Sequence, residues 1–361
     1  MKTKAIDNLF TLVLFVKGRD EFSQRWLKYI DEIDFKYPVI ISDGANDGFV
    51  EKMIKNFSFR NNINLKFRQF DTNSGFKAYY EMKRDTLSEI NTKYVMICDN
   101  DDFILENGIN QILNFLETHN EYISASGNIF NFEIDNWRNT TYGNLFFLPK
   151  YKYSRENDPV EDWFKQIQSI FNSFQPNFYN IFKTSILTKI FTETADLNFS
   201  DLTINEFFIQ LRSNTMGKSK ILNSPHYLRQ RGTSQISNNF DFSHDLLQKN
   251  LPNDVRKLKN FICTIISNEN NLNKERLFDT FDKSFADYLK IIIASTMLRY
   301  RFPRLYKIKK CIKFLWYERL FFISLNIKKI KNGLFLINKP LNDNDKKGLI
   351  KVIKFLKKEK I

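Results

Sequence analysis

The stretch Tyr94-Val95-Met96-Ile97-Cys98-Asp99-Asn100-Asp101-Asp102-Phe103 constrains the fold of this chain more than any other. Its opening apolar run is the length of one buried strand. The strand then stops at three carboxylates within four residues, a crowding that costs free energy unless a cation or a bound partner offsets it. If the pleat continues, Asp99 and Asp101 point the same way, and both can meet one hard divalent ion. A calcium EF-hand loop needs Gly at its sixth place; counted from Asp99 that place is Ile104, which excludes it. A solvated acidic turn is the plain alternative for Asp-Asn-Asp. What favours a metal is the position after a hydrophobic strand and the order of elements before it.

Those elements alternate. Residues 11–16 read as a buried strand, followed by a tight turn at Lys17-Gly-Arg-Asp20 and by Phe22, Trp26, Leu27 and Ile30 at helical spacing. Residues 38–42 form a second strand ending in Asp43-Gly44-Ala45-Asn46-Asp47-Gly48, and 49–57 look helical. Residues 65–70 alternate as a third strand, and Asp71-Thr-Asn-Ser-Gly75 turns into a helix that runs to about Ile90. Four strand–helix repeats in a hundred residues predict an α/β fold with a mostly parallel central sheet and flanking helices. Ligands of open α/β sheets bind at the carboxyl ends of the strands, so the polar turns above share one edge with the acidic loop. Further on, 107–119 read as a helix, 122–134 and 145–148 as strands. The aromatic segment 150–195, with Trp163, Phe171, Phe174, Phe178 and Tyr179, reads as core.

Other chemistries lack their residues. No Gly-x-Gly-x-x-Gly follows a strand, so the dinucleotide fingerprint is missing. Gly217-Lys218-Ser219 has Arg212 where a phosphate loop needs its first Gly. Cys98, Cys263 and Cys311 are far apart and without zinc spacing, as expected of a reduced, cytoplasmic protein. The apolar segment 9–16 is too short for a secretory leader, and no apolar run has the length to cross a bilayer.

Charge divides the chain. Residues 301–361 carry 18 of the 55 Lys+Arg and 4 of the 41 Asp+Glu, which leaves 37 of each sign elsewhere and places the whole excess of +14 in the C-terminal sixth. Residues 308–322 and 348–358 are amphipathic, with Lys on one face and Ile, Leu and Phe on the other. Three readings stand for this tail: an ordinary helical subdomain, a face for an anionic membrane, or a nucleic-acid arm, the last without any recognition motif.

The series Asp43-Gly-Ala-Asn-Asp-Gly48, Asp71-Thr-Asn-Ser-Gly75 and Cys98-Asp-Asn-Asp-Asp102 resembles family 2 glycosyltransferases of the GT-A fold, closest to a bacterial branch reading Tyr-Val-Met-x-x-Asp-x-Asp-Asp-Phe. The resemblance spans roughly residues 8–235 and implies a GT-A domain over 1–235, with a basic helical extension over 236–361. It implies transfer of a sugar from a nucleotide-sugar, with UDP as the expected nucleotide, to a glycan acceptor in surface polysaccharide, lipooligosaccharide or capsule synthesis, with inversion. It implies Mn²⁺ or Mg²⁺ held against the diphosphate by Asp99 and Asp101, with Asp102 beside them and His226 as a third ligand. Asp43 matches the carboxylate that takes a hydrogen bond from the base; Arg19, Lys83, Asp99, Arg229 and Arg231 are further donor contacts. The first strand departs from the family by lacking the Pro-Thr-Tyr-Asn ending.

Asp201-Leu-Thr-Ile-Asn205-Glu206-Phe-Phe-Ile-Gln-Leu-Arg212 before Gly217-Lys218 resembles the family's Glu-Asp, helix, Arg-Leu, Gly-Lys pattern. An inverting transferase needs a carboxylate to take the acceptor's proton, and Glu206 is the expected base with Asp201 in reserve. The plain reading of the same residues is a helix start capped by Ser200 or Asp201. Two other functions remain open at this point: a nucleotidyltransferase on the same acidic loop, and a non-catalytic membrane-associated assembly partner. No nucleic acid is expected; the expected location is the cytoplasm, peripheral on the inner membrane face where the tail binds it.

Overall fold

The computed structural model describes residues 8–134, 140–147, 162–174, 177–231, 250–301 and 341–358. The expected amphipathic stretch 308–322 lies outside them, as does all of 232–249. The first strands are β1 (Phe10–Val16), β2 (Val39–Asp43), β3 (Leu65–Gln69) and β4 (Tyr94–Cys98), and the helices between them are α1 (Asp20–Glu32), α2 (Phe49–Asn56) and α3 (Phe76–Ser88). After β4 come β5 (Phe103–Ile104), α4 (Glu106–Thr118), β6 (Tyr122–Ile134), β7 (Leu145–Phe147) and α5 (Trp163–Asn172). Then follow β8 (Ile181–Lys183), α6 (Thr184–Leu197), α7 (Leu202–Met216), β9 (Lys218–Gln230), α8 (Leu251–Asn270), α9 (Lys274–Arg301) and α10 (Asp343–Lys358).

All the strands join one sheet in the order β3-β2-β1-β4-β8-β6-β9-β5, with β7 on β6. The first four pair in parallel, as their alternation with helices predicts, and their registers set Val16 beside Asp43 and Asp43 beside Gln69. Beyond β4 the sheet becomes mixed: β8 runs antiparallel to β4 and β6, β6 and β9 are parallel, and β5 is antiparallel to β9. The short β5 is the edge strand and pairs with β9, Phe103 opposite Leu228, which brings residues 227–230 over the acidic loop. Strand order reverses between β2-β1 and β4, and that switch point opens a crevice at the carboxyl ends.

Side-chain alternation divides the core between the two faces. Leu12 and Leu14 of β1 pack with Trp26, Leu27 and Ile30 of α1 and with the apolar face of α4. Val13, between them in sequence, points to the other face among residues of α3, α5, α6, α7, α8 and α9. Helix α10, from the basic tail, is part of the first face: Leu349, Val352, Phe355 and Leu356 are buried there, and Asp345 accepts hydrogen bonds from Asn107 (2.7 Å) and Ser224 (3.0 Å). Among the described residues, no helix is long and apolar enough to cross a membrane.

Candidate active site

The chain turns sharply after β4, with Asp102 N–H bonding to Asp99 C=O (3.3 Å), and this turn gathers one carboxylate oxygen each from Asp99, Asp101 and Asp102 within 4.8 Å. A different element holds each one. Asp99 Oδ2 accepts from the Tyr179 hydroxyl (2.6 Å), Asp101 Oδ2 pairs with Arg19 Nη2 (2.6 Å), and Asp102 Oδ1 accepts from Gln230 N–H (2.7 Å). The second oxygen of Asp102 is buried and makes no hydrogen bond. Burial first, then the charge on Asp101, raises Asp99 above the ordinary carboxylate range and Asp102 well above it. A buried oxygen without a donor, beside two more carboxylates, suits a hard cation such as Mg²⁺ or Mn²⁺. The donor set therefore fits the expected metal through Asp99, Asp101 and Asp102.

His226 does not belong to that set. It is buried on β9; its Nδ1 accepts from Gly127 N–H (3.1 Å) and its Nε2 donates to Tyr179 C=O (3.0 Å). Burial pushes it down to about 4, so it stands as a neutral core histidine. Its expected role as third ligand is corrected: both nitrogens are spent joining β6, β9 and the chain before β8.

Asp43 closes β2 at the same edge, fully buried. Its Oδ1 accepts from Ala45 N–H (2.9 Å), while Oδ2 is buried with no hydrogen-bond partner, and burial raises the group above the ordinary range. Lys83 of α3 is 2 % exposed, its ammonium set against Tyr79 (4.3 Å), Phe178 (4.7 Å), Phe191 (5.2 Å) and Phe15 (5.5 Å). Ring faces hold a cation without using its N–H donors. Arg229 lies over the Tyr179 ring (5.6 Å), whereas Arg231 directly follows β9 in an exposed position, its N–H bonded to Phe132 C=O (2.8 Å).

Glu206 sits in the first two turns of α7, with its side chain open to solvent. Desolvation by the protein packed around the carboxyl is the main cause that raises it to about 7; Arg229 and Lys83 pull it down, and Asp99 and Asp201 push it up. Glu206 thus shares its electrostatic surroundings with the acidic loop and its basic neighbours. Asp201 is the N-cap of α7, its Oδ1 accepting from Ile204 N–H (2.8 Å), and its own N–H is bound by Asp254 (3.1 Å) of α8. Between the two expected bases, only Glu206 has a carboxylate not engaged as a cap.

Four residues at this site carry no motif. Tyr179 and Tyr227 stack (4.3 Å, 25°); one hydroxyl bonds the Asp99 carboxylate and the other accepts from its N–H (3.0 Å). Arg25 and Gln230 lie under the loop. Tyr179 falls in the aromatic segment read as core, and it is buried as expected; its hydroxyl gave no sequence signal. A 280 Å³ cavity is lined by Lys17, Thr72, Asn73, Gly75, Phe76, Tyr79 and Leu202, and Tyr79 is the ring nearest the Lys83 ammonium.

No family model matches the sequence, and no curated protein matches it. Among solved structures, S. aureus TarS 1-349 aligns with a TM-score of 0.49 and 15% identity over 81% of this chain and 75% of that one. TarS 1-349 in complex with UDP-GlcNAc gives 0.48 and 16% over 81% and 73%. The longer S. aureus TarS chain gives 0.48 and 15%, and this chain spans 44% of its length.

Proposed function

We propose that this chain is a metal-dependent glycosyltransferase that moves a sugar from a nucleotide-sugar, with UDP as the nucleotide, to a glycan acceptor. The observation that carries the reading is the convergence of Asp99, Asp101 and Asp102, with one orphaned buried oxygen, at the carboxyl edge of parallel strands. Asp43 Oδ2, also without a donor, accepts an N–H of the base. Lys83 and Arg229 supply positive charge to the phosphate oxygens. Asp99, Asp101 and Asp102 would hold a divalent ion, which would supply positive charge against the leaving diphosphate. Glu206 takes the acceptor hydroxyl's proton while that oxygen attacks the anomeric carbon from the side opposite the diphosphate, which inverts the centre.

The acceptor we assign is a growing bacterial surface glycan, of capsule or lipooligosaccharide type, met at the cytoplasmic face of the membrane. Residues 1–235 carry catalysis and 236–361 the extension. The 18 basic against 4 acidic residues of 301–361 in the sequence, together with the exposure of Ile291 and Ile293 of α9, support contact with an anionic bilayer. Loss of sedimentation with anionic vesicles on joint substitution of the exposed Lys347, Lys351 and Lys354 by Glu is the expected result.

The test of the whole reading is calorimetry and thermal shift with nucleoside diphosphates and nucleotide-sugars, with and without Mn²⁺. Manganese-dependent binding of a uridine nucleotide, absent in Asp101→Ala, is expected. Binding indifferent to both metal and Asp101 removes the mechanism. Release of pyrophosphate from a nucleoside triphosphate turns the reading to nucleotidyl transfer.

A further inference from the structure

Arg25 lies on the buried face of α1, one residue before Trp26, and is 0 % exposed. A buried guanidinium is costly unless its donors are taken up. Here both terminal nitrogens are engaged, by two main-chain carbonyls and one side-chain amide, while Nε is buried without a hydrogen-bond partner. Nη2 donates to Asp101 C=O (2.5 Å), and Nη1 donates to Thr141 C=O (2.8 Å) and Gln230 Oε1 (2.7 Å). The plane is packed against the rings of Phe22 (4.9 Å) and Phe103 (4.7 Å), the second of which is the first residue of β5. Gln230 passes the connection on: its N–H binds Asp102 Oδ1, and its side-chain amide donates to Thr140 C=O (3.1 Å).

Arg19, six residues earlier on the same helix, treats the loop differently. It is the left-handed residue at the helix start (φ 63°), its side chain is 23% exposed, and it takes the Asp101 carboxylate rather than the carbonyl. One arginine therefore fixes the backbone of the loop from inside. The other neutralises a carboxylate from the rim and can exchange for another cation.

We infer that Arg25 is a positioning residue for the acidic loop: through the Asp101 carbonyl and Gln230 it holds Asp99–Asp102 in the geometry that receives the ion. The inference rests on the proposed metal role of that loop, and it makes a prediction that simple electrostatics reverses. Removing a positive charge near a cation site should tighten cation binding. Removing Arg25 should weaken it, because the ligand geometry is lost; loss of an orienting partner of this kind costs roughly 10-fold or more in metal affinity.

The experiment uses the full chain as wild type, Arg25→Met, Arg25→Lys and Arg19→Ala. It measures Mn²⁺ affinity by calorimetry, and amide hydrogen exchange over residues 99–104 with 39–43 as internal reference. Expected are tighter Mn²⁺ binding in Arg19→Ala and binding weaker by about 10-fold in Arg25→Met. Faster exchange confined to 99–104 should accompany the loss, with Arg25→Lys between Met and wild type in both readings. Tighter Mn²⁺ binding in Arg25→Met with unchanged exchange at 99–104 overturns the inference, leaving Arg25 a plain charge. If Arg25→Met does not fold, Arg25→Lys decides: exchange raised equally at 99–104 and 39–43 marks an ordinary core residue and also overturns it. If wild type binds no Mn²⁺, the metal reading fails instead, and exchange at 99–104 still decides whether Arg25 fixes the loop.

Discussion

Glu206 is protonated over part of the range where most carboxylates are charged. Its folded value is raised from 4.5 to about 7, so at acidic pH it cannot accept a proton. Turnover should therefore rise with pH through about 7 and level off above it; a profile flat from 5 to 8 would sink Glu206 as the base. Glu206→Gln should lower kcat by roughly 100-fold or more while leaving nucleotide affinity in place. Asp43→Ala should do the converse, costing about 10- to 100-fold in nucleotide affinity by calorimetry with Mn²⁺ affinity unchanged. His226 shifts the other way. Its folded value of about 4 lies below the unfolded 6.5, so the unfolded chain binds the extra proton and stability falls as pH drops from about 6.5 to 4. The loss is on the order of 3 kcal/mol by linkage. Denaturant melts of His226→Gln at pH 7.5 and 4.5 should show a smaller pH loss than wild type.

At the scale of elements, β9 decides the site, because it carries Tyr227, Arg229 and Gln230 across the loop that follows β4. Its close approach to α4 depends on a glycine. A Cβ on Gly108 would stand 2.0 Å from Pro225 O and 2.7 Å from His226 Cα, both backbone atoms that cannot swing aside. Gly108→Ala should destabilise by about 1–3 kcal/mol in denaturant unfolding. Since β9 must move to admit the methyl group, nucleotide binding should weaken along with stability. Helix α7 is fixed at its start by Asp254, which accepts from Ser200 N–H (2.7 Å), Ser200 Oγ (2.6 Å) and Asp201 N–H. The buried Arg212–Glu193 pair (2.7 Å) ties its far end to α6. The helix that carries Glu206 is thus held at both ends by residues remote from the chemistry.

For the whole molecule, the consequential element is α10. A strongly basic end would ordinarily be read as an appendage, yet Phe355 of α10 touches Phe103 (6.0 Å) and Tyr29 (5.5 Å), and Leu356 C=O accepts from Gly143 N–H (3.1 Å). Phe103 is also the ring that supports Arg25, so the last helix backs the acidic loop. Four apolar side chains of α10 are buried, and each is worth roughly 1.5–3 kcal/mol. Their sum rivals the net stability of a typical domain. Ending the chain before Asp343 should therefore give insoluble protein or a Tm lower by tens of degrees, whereas substitution of its exposed Lys347, Lys351 or Lys354 should leave folding intact.

The first half of the fold was readable because its information is local. Apolar runs of strand length, turns rich in Gly and Asp and helical spacing each occupy adjacent residues, and the parallel order of β1 to β4 follows from their alternation with helices. The edge position of Asp43 and of Asp99–Asp102 came from the same logic. Tertiary structure alone decided the rest, for a physical reason. Arg25, Tyr179, Tyr227 and Gln230 meet the acidic loop across 76 to 128 positions of chain, and Arg25 meets Gln230 across 205; no spacing rule encodes such contacts. His226 shows the reverse case: a metal-ligating residue type in a plausible place was assigned by its hydrogen bonds to the core. Sequence determined which chemical groups reach the carboxyl edge of the sheet; packing determined which of their oxygens and nitrogens were left to bind a ligand.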